Sequence, residues 1–404
     1  MSGATSYNIY YSENADFALT DVGVTKISDA TSPYTIEDGV LDDNTTYYFV
    51  VTAVNAGGES AVSLQVSAKH TTFSQANLGG DWYVTLFYTA DSTIHWLRMK
   101  MTIDEDTGAV TAISYYELDS GVPDPLPVPG DLQYTIDADG NVVQLGSDYP
   151  GSDSRNVMAS NKELIIGTDS LSDTIRVIRI FQKAPPADSG YFSDADLADK
   201  SFVFHQLTNV TDVGWMYGAG SMDGSGVATL TSLFGPTGAL DLPDSEQLYI
   251  DENGVVTSDD DQYFRGFMSL DRSLIIGTTK DEVDGSYQLR VIQTSGQTFT
   301  MGDLAGAYKL ASLFDGVEEY WQYGTVTINS SGVTALTIEQ SVLGGIGSEV
   351  VDIDEPPTLL MNAAGTITDA DDPSFHGTMS VTKDLLVSTF TLEEEIYGLS
   401  LVAK

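Results

Sequence analysis

Short runs of β-branched and aromatic residues alternate with clusters of Gly, Asp, Asn and Ser along almost the whole chain. This arrangement is typical of strands that end in tight turns. Between residues 96 and 103, Leu97, Met99, Met101 and Ile103 occupy every second position, as a strand with one apolar face requires. Because no segment shows sustained helical periodicity with capping residues, the pattern predicts an all-β protein.

From residue 73 onward the sequence repeats three times. The glycine of the second predicted hairpin recurs as Gly140, Gly254 and Gly365, at intervals of about 110 residues. Each copy contains about eight predicted strands joined by short turns, which favours an antiparallel meander. The predicted segments are 1–70, 71–185, 186–297 and 298–404.

Two architectures fit the three repeats: an eight-stranded up-and-down barrel for each copy, or one six-bladed propeller with two blades for each copy. Barrels are favoured because each copy begins and ends cleanly, whereas a propeller usually closes by mixing its first and last strands. The opening strand around Gly80 and Trp82 is similar to the first strand of lipocalin- and avidin-like barrels. Phe202 and Tyr308 take the place of that Trp in the other copies.

The segments 6–12 and 41–60 resemble the third strand and the late strands of a fibronectin type III domain. Tyr47 stands where that family has its tyrosine corner, and Phe49 and Val51 follow on the same face. A complete sandwich of this kind has about seven strands, and the first two have no counterpart here. The resemblance therefore implies a partial sandwich, truncated or completed by another chain, within a long exported protein.

The charge balance narrows the classes of partner. The 17 Lys and Arg residues against 59 Asp and Glu give a net charge of −42, which excludes a nucleic-acid binder and electrostatic docking on an anionic bilayer. The absence of Cys excludes disulfides and thiolate chemistry. No apolar run approaches the roughly 20 residues of a transmembrane helix. No signal peptide is recognisable at the start, so we expect a processed chain or a fragment.

Aromatic residues supply the candidate ligand-binding site. Trp96, Trp215 and Trp321 recur at matching positions before the first hairpin, with Tyr217 and Tyr323 on the same face in copies two and three. Period-two alternation places this row opposite the apolar stripe of the strand. Such a row could stack on a sugar ring or line a barrel mouth; alternatively, it packs between neighbouring repeats or plugs the end of a barrel.

Acidic loops supply the candidate metal ligands, for weak binding of Ca²⁺. These residues are Asp259, Asp260, Asp261, Asp369, Asp371 and Asp372. The hairpins 137–140 and 251–254 also resemble calcium loops, but the third copy keeps the glycine and loses the charges at 362–365. A turn role is therefore predicted for the hairpins.

No catalytic motif accompanies these features, and the four His residues have no metal-pair or triad spacing. The sequence predicts a bacterial structural or binding protein of the cell surface or extracellular space, of the adhesion or assembly type, and not an enzyme. Its partner would be another protein chain, by self-assembly or strand donation to the N-terminal module, or a surface glycan. The alternatives are a carbohydrate-binding accessory protein and a polysaccharide-active enzyme with a propeller-like site.

Overall fold

The computed structural model describes residues 4–404 except for thirteen short gaps. The residues left out within this range are 32–33, 35, 37–39, 44, 90–91, 120–129, 147–153, 187–189, 343–344, 346, 352, 354–355 and 393–394. Within the described part the secondary structure is almost entirely β, so the predicted fold class is confirmed.

The N-terminal sheet follows the order β2-β1-β3-β4, and β5 also pairs with β3. Its strands are β1 Ser6–Ser12, β2 Thr25–Ala30, β3 Thr45–Asn55, β4 Gly58–Glu59 and β5 Val66–His70. The hydroxyl oxygen of Tyr47 accepts a hydrogen bond from the backbone N–H of Asp42 at 3.0 Å. The ring of Tyr47 also packs edge-on against Tyr11. These contacts fix the start of β3, and the resemblance to fibronectin type III stays a prediction.

The first repeat forms an eight-stranded sheet in the order β8-β7-β6-β13-β12-β11-β10-β9. The strands are β6 Gly80–Tyr88, β7 Trp96–Ile103, β8 Val110–Leu118, β9 Gln133–Ile136, β10 Asn141–Leu145, β11 Arg155–Met158, β12 Leu164–Ser170 and β13 Arg176–Lys183. A bridge between Ala109 and Gln133 joins the two ends of the sheet. Two flanking hydrogen bonds, one of them from the N–H of Val110 to the carbonyl of Leu132, support that closure. The repeat is therefore a closed barrel, named barrel 1 below.

The second repeat, barrel 2, closes through direct pairing of β15 with β16. Its strands are β14 Ser201–Asn209, β15 Gly214–Met222, β16 Val227–Gly235, β17 Gly238–Ala239, β18 Glu246–Ile250, β19 Val255–Ser258, β20 Arg265–Met268, β21 Leu274–Lys280 and β22 Tyr287–Ser295. The two-residue strand β17 pairs only with the end of β16. The remaining strands form the ring.

The third repeat, barrel 3, closes through a bridge between Val333 and Thr358. Its strands are β23 Gly306–Gly316, β24 Tyr320–Ile328, β25 Thr334–Ser341, β26 Ser348–Val351, β27 Leu359–Met361, β28 Thr366–Asp369, β29 His376–Met379, β30 Leu385–Leu392 and β31 Ile396–Ala403. Each repeat thus closes on itself. The barrel prediction is confirmed, and the alternative of a six-bladed propeller is wrong.

A single helical turn precedes each barrel. These turns are the 3-10 helices Gln75–Asn77 and Asp194–Asp196 and the α-helix α1 Met301–Leu304. In the part of the chain that the structure describes, no helix has the length and apolar character needed to span a membrane.

The predicted turn role of the second hairpins is confirmed by their backbone geometry. Gly140 has a φ of 84°, and a Cβ added there would lie 2.8 Å from the ring of Phe73. The Oδ1 of Asp137 accepts hydrogen bonds from the backbone N–H groups of Asp139 and Asn141. The same glycine–phenylalanine contact recurs as Gly254 with Phe192 and Gly365 with Phe299. The carboxylate of this hairpin therefore holds its own turn.

The three barrels share one apolar core, which is separate from their interiors. It is built from side chains on the outer faces of strands in all three repeats. Its members include Ile166, Ile178 and Ile180 from barrel 1, Leu207, Ile276, Leu289 and Val291 from barrel 2, and Leu313, Val387, Leu399 and Leu401 from barrel 3. Burying each such side chain contributes about 1.5–3 kcal/mol, so the barrels are packed as one body around this core.

Candidate ligand-binding site

The predicted row of Trp residues lies between the barrels. Trp96, Trp215 and Trp321 are only 1%, 3% and 0% exposed. The Nε1 of Trp215 donates to the Oγ1 of Thr391 in barrel 3 at 2.8 Å. The Nε1 of Trp321 donates to the Oγ of Ser170 in barrel 1, also at 2.8 Å. The expectation of a sugar-stacking surface is corrected here, because these indoles have no exposed face and pack between repeats.

The two Tyr residues of the predicted row are also used in packing. Tyr217 of barrel 2 stacks on His376 of barrel 3, with the ring planes 6° apart. Tyr323 is half-buried and packs against the shared core. The sequence correctly predicted which face of the strand carries this row. The row points away from the barrel interior, and in barrel 1 that interior contains Met101 and Ile103.

The contact between barrels 1 and 2 differs from the other two contacts. Ser170 and Thr391 are each the seventh residue of the strand they belong to, β12 or β30, and the equivalent residue of β21 is Lys280. Lys280 offers no hydroxyl, and the buried Nε1 of Trp96 has no hydrogen-bond partner among the residues that the structure describes. The guanidinium of Arg98 lies 3.9 Å from the Trp96 ring instead.

Replacing Lys280 by Thr is expected to raise the free energy of unfolding by about 0.5–1.5 kcal/mol, the net worth of one buried hydrogen bond. The new hydroxyl would take the place of Thr391 and accept from the Nε1 of Trp96. Chemical denaturation of Lys280→Thr and Lys280→Val measures this, since Val has the same shape and no acceptor. Equal stability of the two variants would contradict the prediction.

The carboxylates of the first predicted acidic loop are engaged separately, each by different hydrogen-bond donors. The Oδ2 of Asp259 accepts from the hydroxyl of Tyr249 at 2.8 Å, and the Oδ2 of Asp260 accepts from the backbone N–H of Gln247 at 2.9 Å. Asp261 accepts from backbone N–H groups of its own loop. Each carboxylate therefore stabilises a different part of the loop.

The second acidic loop has the same character. The Oδ1 of Asp369 accepts from the N–H of Asp371, and the Oδ1 of Asp372 accepts from the N–H and the hydroxyl of Ser374. Among the residues that the structure describes, no three His, Asp or Glu side chains are grouped so that they could hold a metal ion. Weak binding of Ca²⁺ stays a prediction without a preformed site.

One acidic cluster that the sequence did not indicate lies where the third hairpins of the three barrels meet. Glu163, Asp271 and Asp384 come from equivalent turns and line one small cavity. Burial raises the pKa of Glu163, and the charges of Asp271 and Asp384 raise it further, against a smaller opposing effect of Lys183. The ionised form of Glu163 is thus disfavoured in the folded protein.

A carboxyl whose pKa is higher in the folded state than in the unfolded state stabilises the fold when protonated, and this stability is lost as pH rises through the folded pKa. Glu163→Gln is therefore expected to raise the melting temperature at pH 7 and to leave it nearly unchanged at pH 4. Thermal melts at both pH values test this, with Glu252→Gln on an exposed turn as the control. A gain at pH 4 as large as at pH 7 would contradict it.

The interior of barrel 2 contains a cavity of about 150 Å³. Most of its wall is apolar, and its mouth is formed by the exposed segment at Pro243 and Asp244. The apolar wall residues are Phe202, Phe204, Met216, Met222, Ala228, Leu230, Leu233, Leu248 and Ile292. A concave, mostly apolar space with a few polar groups is the usual form of a small-molecule site.

Glycines on β15 make room for two Phe rings in this barrel, because a Cβ on Gly218 would lie 2.5 Å from the ring of Phe204 and one on Gly220 2.7 Å from the ring of Phe202. Gly218 and Gly220 point inward, whereas barrel 1 has Met99 and Met101 at the equivalent positions. The cross-strand pairs are Phe204–Gly218 and Phe202–Gly220 in barrel 2, and Val84–Met99 and Trp82–Met101 in barrel 1. The large Met and Trp side chains belong to the interior core of barrel 1, so the same fold is filled there.

One cation is held at the cavity wall. The Nε of Arg290 donates to the Oε1 of Gln206 at 2.8 Å, and its Nη2 donates to the Oε1 of Gln288 at 2.8 Å. Its Nη1 lies 3.9 Å from Glu246 and 3.7 Å from Asp261. These neighbours fix the guanidinium against the wall, and they occupy two of its nitrogen atoms.

Glu246 completes the polar part of the cavity. Its Oε2 faces Arg290 and its side chain is 30% exposed, while its Oε1 is buried and accepts no hydrogen bond from the residues that the structure describes. Neither Glu246 nor Arg290 was a candidate in the sequence. The glycines that replace Met99 and Met101 in the second copy indicate a differently packed interior, but they do not line the cavity.

Comparisons with known proteins give only distant likenesses. No protein-family model matches the chain, and no curated protein matches it. Among solved structures it is similar to transferrin binding protein B from serogroup B Neisseria meningitidis, with 9% identity, a TM-score of 0.24, and coverage of 88% of this chain and 83% of that one. A transferrin binding protein B mutant from Haemophilus parasuis Hp5 matches with 10% identity and a TM-score of 0.24, over 100% of this chain and 95% of the other. At these TM-scores no binding property of those proteins transfers to this chain.

Proposed function

We propose that the chain is a non-catalytic binding protein of the cell surface or extracellular space, and that barrel 2 takes up a small molecule in its interior. The observation that carries this proposal is the apolar cavity of about 150 Å³ inside that barrel. The extracellular location is supported by the resemblance of the N-terminal segment to fibronectin type III modules and by the acidic composition.

The lining of the cavity supports binding rather than catalysis. Its polar side chains are Gln206, Asp244, Glu246 and Arg290, and the described residues of the wall include no hydroxyl, imidazole or amine. Arg290 is held by amides. Burial of an apolar ligand against this wall is favoured by about 25 cal/mol for each Å² of apolar surface removed from water.

Titration with toluene, a neutral single-ring molecule, tests the proposal. We expect saturable binding by the full chain, with amide chemical-shift changes confined to barrel 2. Ala228→Leu adds volume to the cavity wall and is expected to abolish binding. Ala335→Leu places the same change on an exposed position of barrel 3 and is expected to leave it intact. Absence of toluene binding by the unaltered chain would overturn the proposal.

A protein partner is the second candidate, because the N-terminal sheet presents apolar side chains that are only half-buried. Ile9, Phe49 and Val51 lie on the face that carries the Tyr11 and Tyr47 rings. Covering them by another chain, through self-assembly or strand donation, would remove this surface from water. A mass in light scattering that rises with concentration supports self-assembly, and a constant monomer mass contradicts it. Because Trp96, Trp215 and Trp321 are buried, the main argument for a surface glycan as the partner no longer holds.

A further inference from the structure

We infer that the ligand of barrel 2 is a small amine, with an apolar body the size of one aromatic ring and an ammonium group that binds Glu246. This inference rests on the proposed function and specifies the chemical class of the ligand. It follows from the volume of the cavity, the carboxylate of Glu246 in its wall, and the charge at its mouth.

The volume limits the apolar body of the ligand. A dry protein cavity of about 150 Å³ is known to hold one benzene molecule, and the cavity in barrel 2 has about this volume. Phe202, Met222 and Leu233 in its wall are buried side chains. A fused polycyclic molecule or a long acyl chain would not fit without displacing them. A single aromatic ring or a branched alkyl group of similar size fits.

The carboxylate of Glu246 specifies the polar group. It lines the cavity, and its side chain is 30% exposed. Oε1 is shielded from water, and none of the described side chains donates to it. Oε2 lies 3.9 Å from the Nη1 of Arg290, beyond hydrogen-bond distance. A ligand N–H would supply a donor to Oε2, and an ammonium would form a charge-assisted bond there.

The charge around the mouth distinguishes an ammonium from a neutral donor. Asp244 and Glu246 line the cavity, and Asp261 lies close to Arg290 on the other side, so carboxylates outnumber the single guanidinium. An adjoining depression shares Arg290 with the cavity, and Lys280 is its only other cationic residue. Its acidic residues are Asp259, Asp260, Asp261, Asp281 and Glu282. This field attracts cations to the mouth and repels carboxylate ligands.

Calorimetric titration of the full chain with benzylamine, toluene and benzoate at pH 7 tests the inference. The three probes share one ring and differ in charge. We expect benzylamine to bind about tenfold more tightly than toluene, as one charge-assisted hydrogen bond provides, and benzoate to show no binding. In Glu246→Gln the affinity for benzylamine is expected to fall to that for toluene. Glu252→Gln removes the same charge from an exposed turn of barrel 2 and is expected to keep the preference.

The outcomes separate this inference from the proposed function. If toluene and benzylamine bind equally to the unaltered chain, or benzoate binds best, the amine inference is overturned and the proposed cavity site stands. If none of the probes binds, both fail. Toluene binding by Glu246→Gln reports that the variant is folded. If that variant does not fold, the ranking of the three probes on the unaltered chain still decides the matter.

Discussion

Trp321→Ala is expected to lower the free energy of unfolding by about 3–5 kcal/mol, the usual cost of truncating a fully buried Trp. The indole of Trp321 is completely buried between barrels 3 and 1, and its Nε1 donates to Ser170. Truncation would leave a cavity at this contact and remove the donor from the hydroxyl. Chemical denaturation followed by far-ultraviolet circular dichroism gives the difference.

Two further variants serve as comparisons for Trp321→Ala. Trp321→Phe keeps most of the apolar volume and loses the hydrogen bond, so its loss is expected to be smaller than that of Trp321→Ala. Tyr249→Ala truncates an aromatic side chain that is 42% exposed, and about 0.5 kcal/mol or less is expected there. A loss for Trp321→Ala as small as that for Tyr249→Ala would show that the indole faces solvent, as a sugar-binding surface requires.

The sequence predicted the faces of the strands but not what covers the outer face. Period-two alternation distinguishes Leu97 and Met101 from Trp96 and Arg98, and the structure places the first pair in the interior of barrel 1. It does not reveal that barrel 2 packs on the second pair, because the contacts of Arg98 join residues 165 to 180 positions apart. Trp96 and Arg98 were therefore placed only on a mixed face, open to a ligand or to a neighbouring repeat, and both are buried.

The cavity could not be predicted for a related reason. Whether a barrel interior is filled depends on which side chains face each other across neighbouring strands, and register is not visible in one strand alone. Gly220 reads as a turn or bulge residue in the sequence. Its importance appears only when it pairs with Phe202, where barrel 1 pairs Met101 with Trp82. The glycines of the hairpin turns could be predicted from the sequence, because a positive φ is a requirement of the local backbone.

Polar contacts between barrels concentrate on a few buried side chains. Arg98 joins barrel 1 to barrel 2 through the carbonyls of Arg265 and Thr278. His205 of barrel 2 lies between the hydroxyls of Thr378 and Thr389 in barrel 3, and burial lowers its pKa to about 3. It is therefore neutral at physiological pH and serves as a packed hydrogen-bonding group. These side chains specify which surfaces of the barrels meet, while the shared apolar core supplies the main driving force.

Arg176 is the strongest of these connections, and Arg176→Ala is expected to lower the free energy of unfolding by about 3 kcal/mol or more. Its guanidinium is buried in the contact between barrels 1 and 3. Nε donates to the Oγ of Ser341, and Nη2 donates to the carbonyls of Val342 and Gly345 at 2.9 and 3.1 Å. Nη1 donates to the carbonyl of Ser172 in its own barrel at 2.7 Å. The buried hydroxyl of Ser341 and several part-buried carbonyls would lose their donor, at about 1–3 kcal/mol for each acceptor that stays dry.

Arg155→Ala provides the matched control for Arg176→Ala, since Arg155 also joins barrel 1 to barrel 3. Its Nε lies 3.3 Å from Glu339, but its side chain is 29% exposed and that of Glu339 is 42% exposed. A pair of this kind contributes about 0–1 kcal/mol. Arg176→Lys is expected to fall between the two, because one ammonium cannot reproduce the planar set of donors. Equal losses for Arg176→Ala and Arg155→Ala in chemical denaturation would contradict this account, because water would then have replaced the guanidinium at little cost. A larger loss for Arg176→Ala than for Arg155→Ala would show that the buried guanidinium of Arg176, rather than the exposed Arg155–Glu339 pair, is the polar group that determines how barrels 1 and 3 meet.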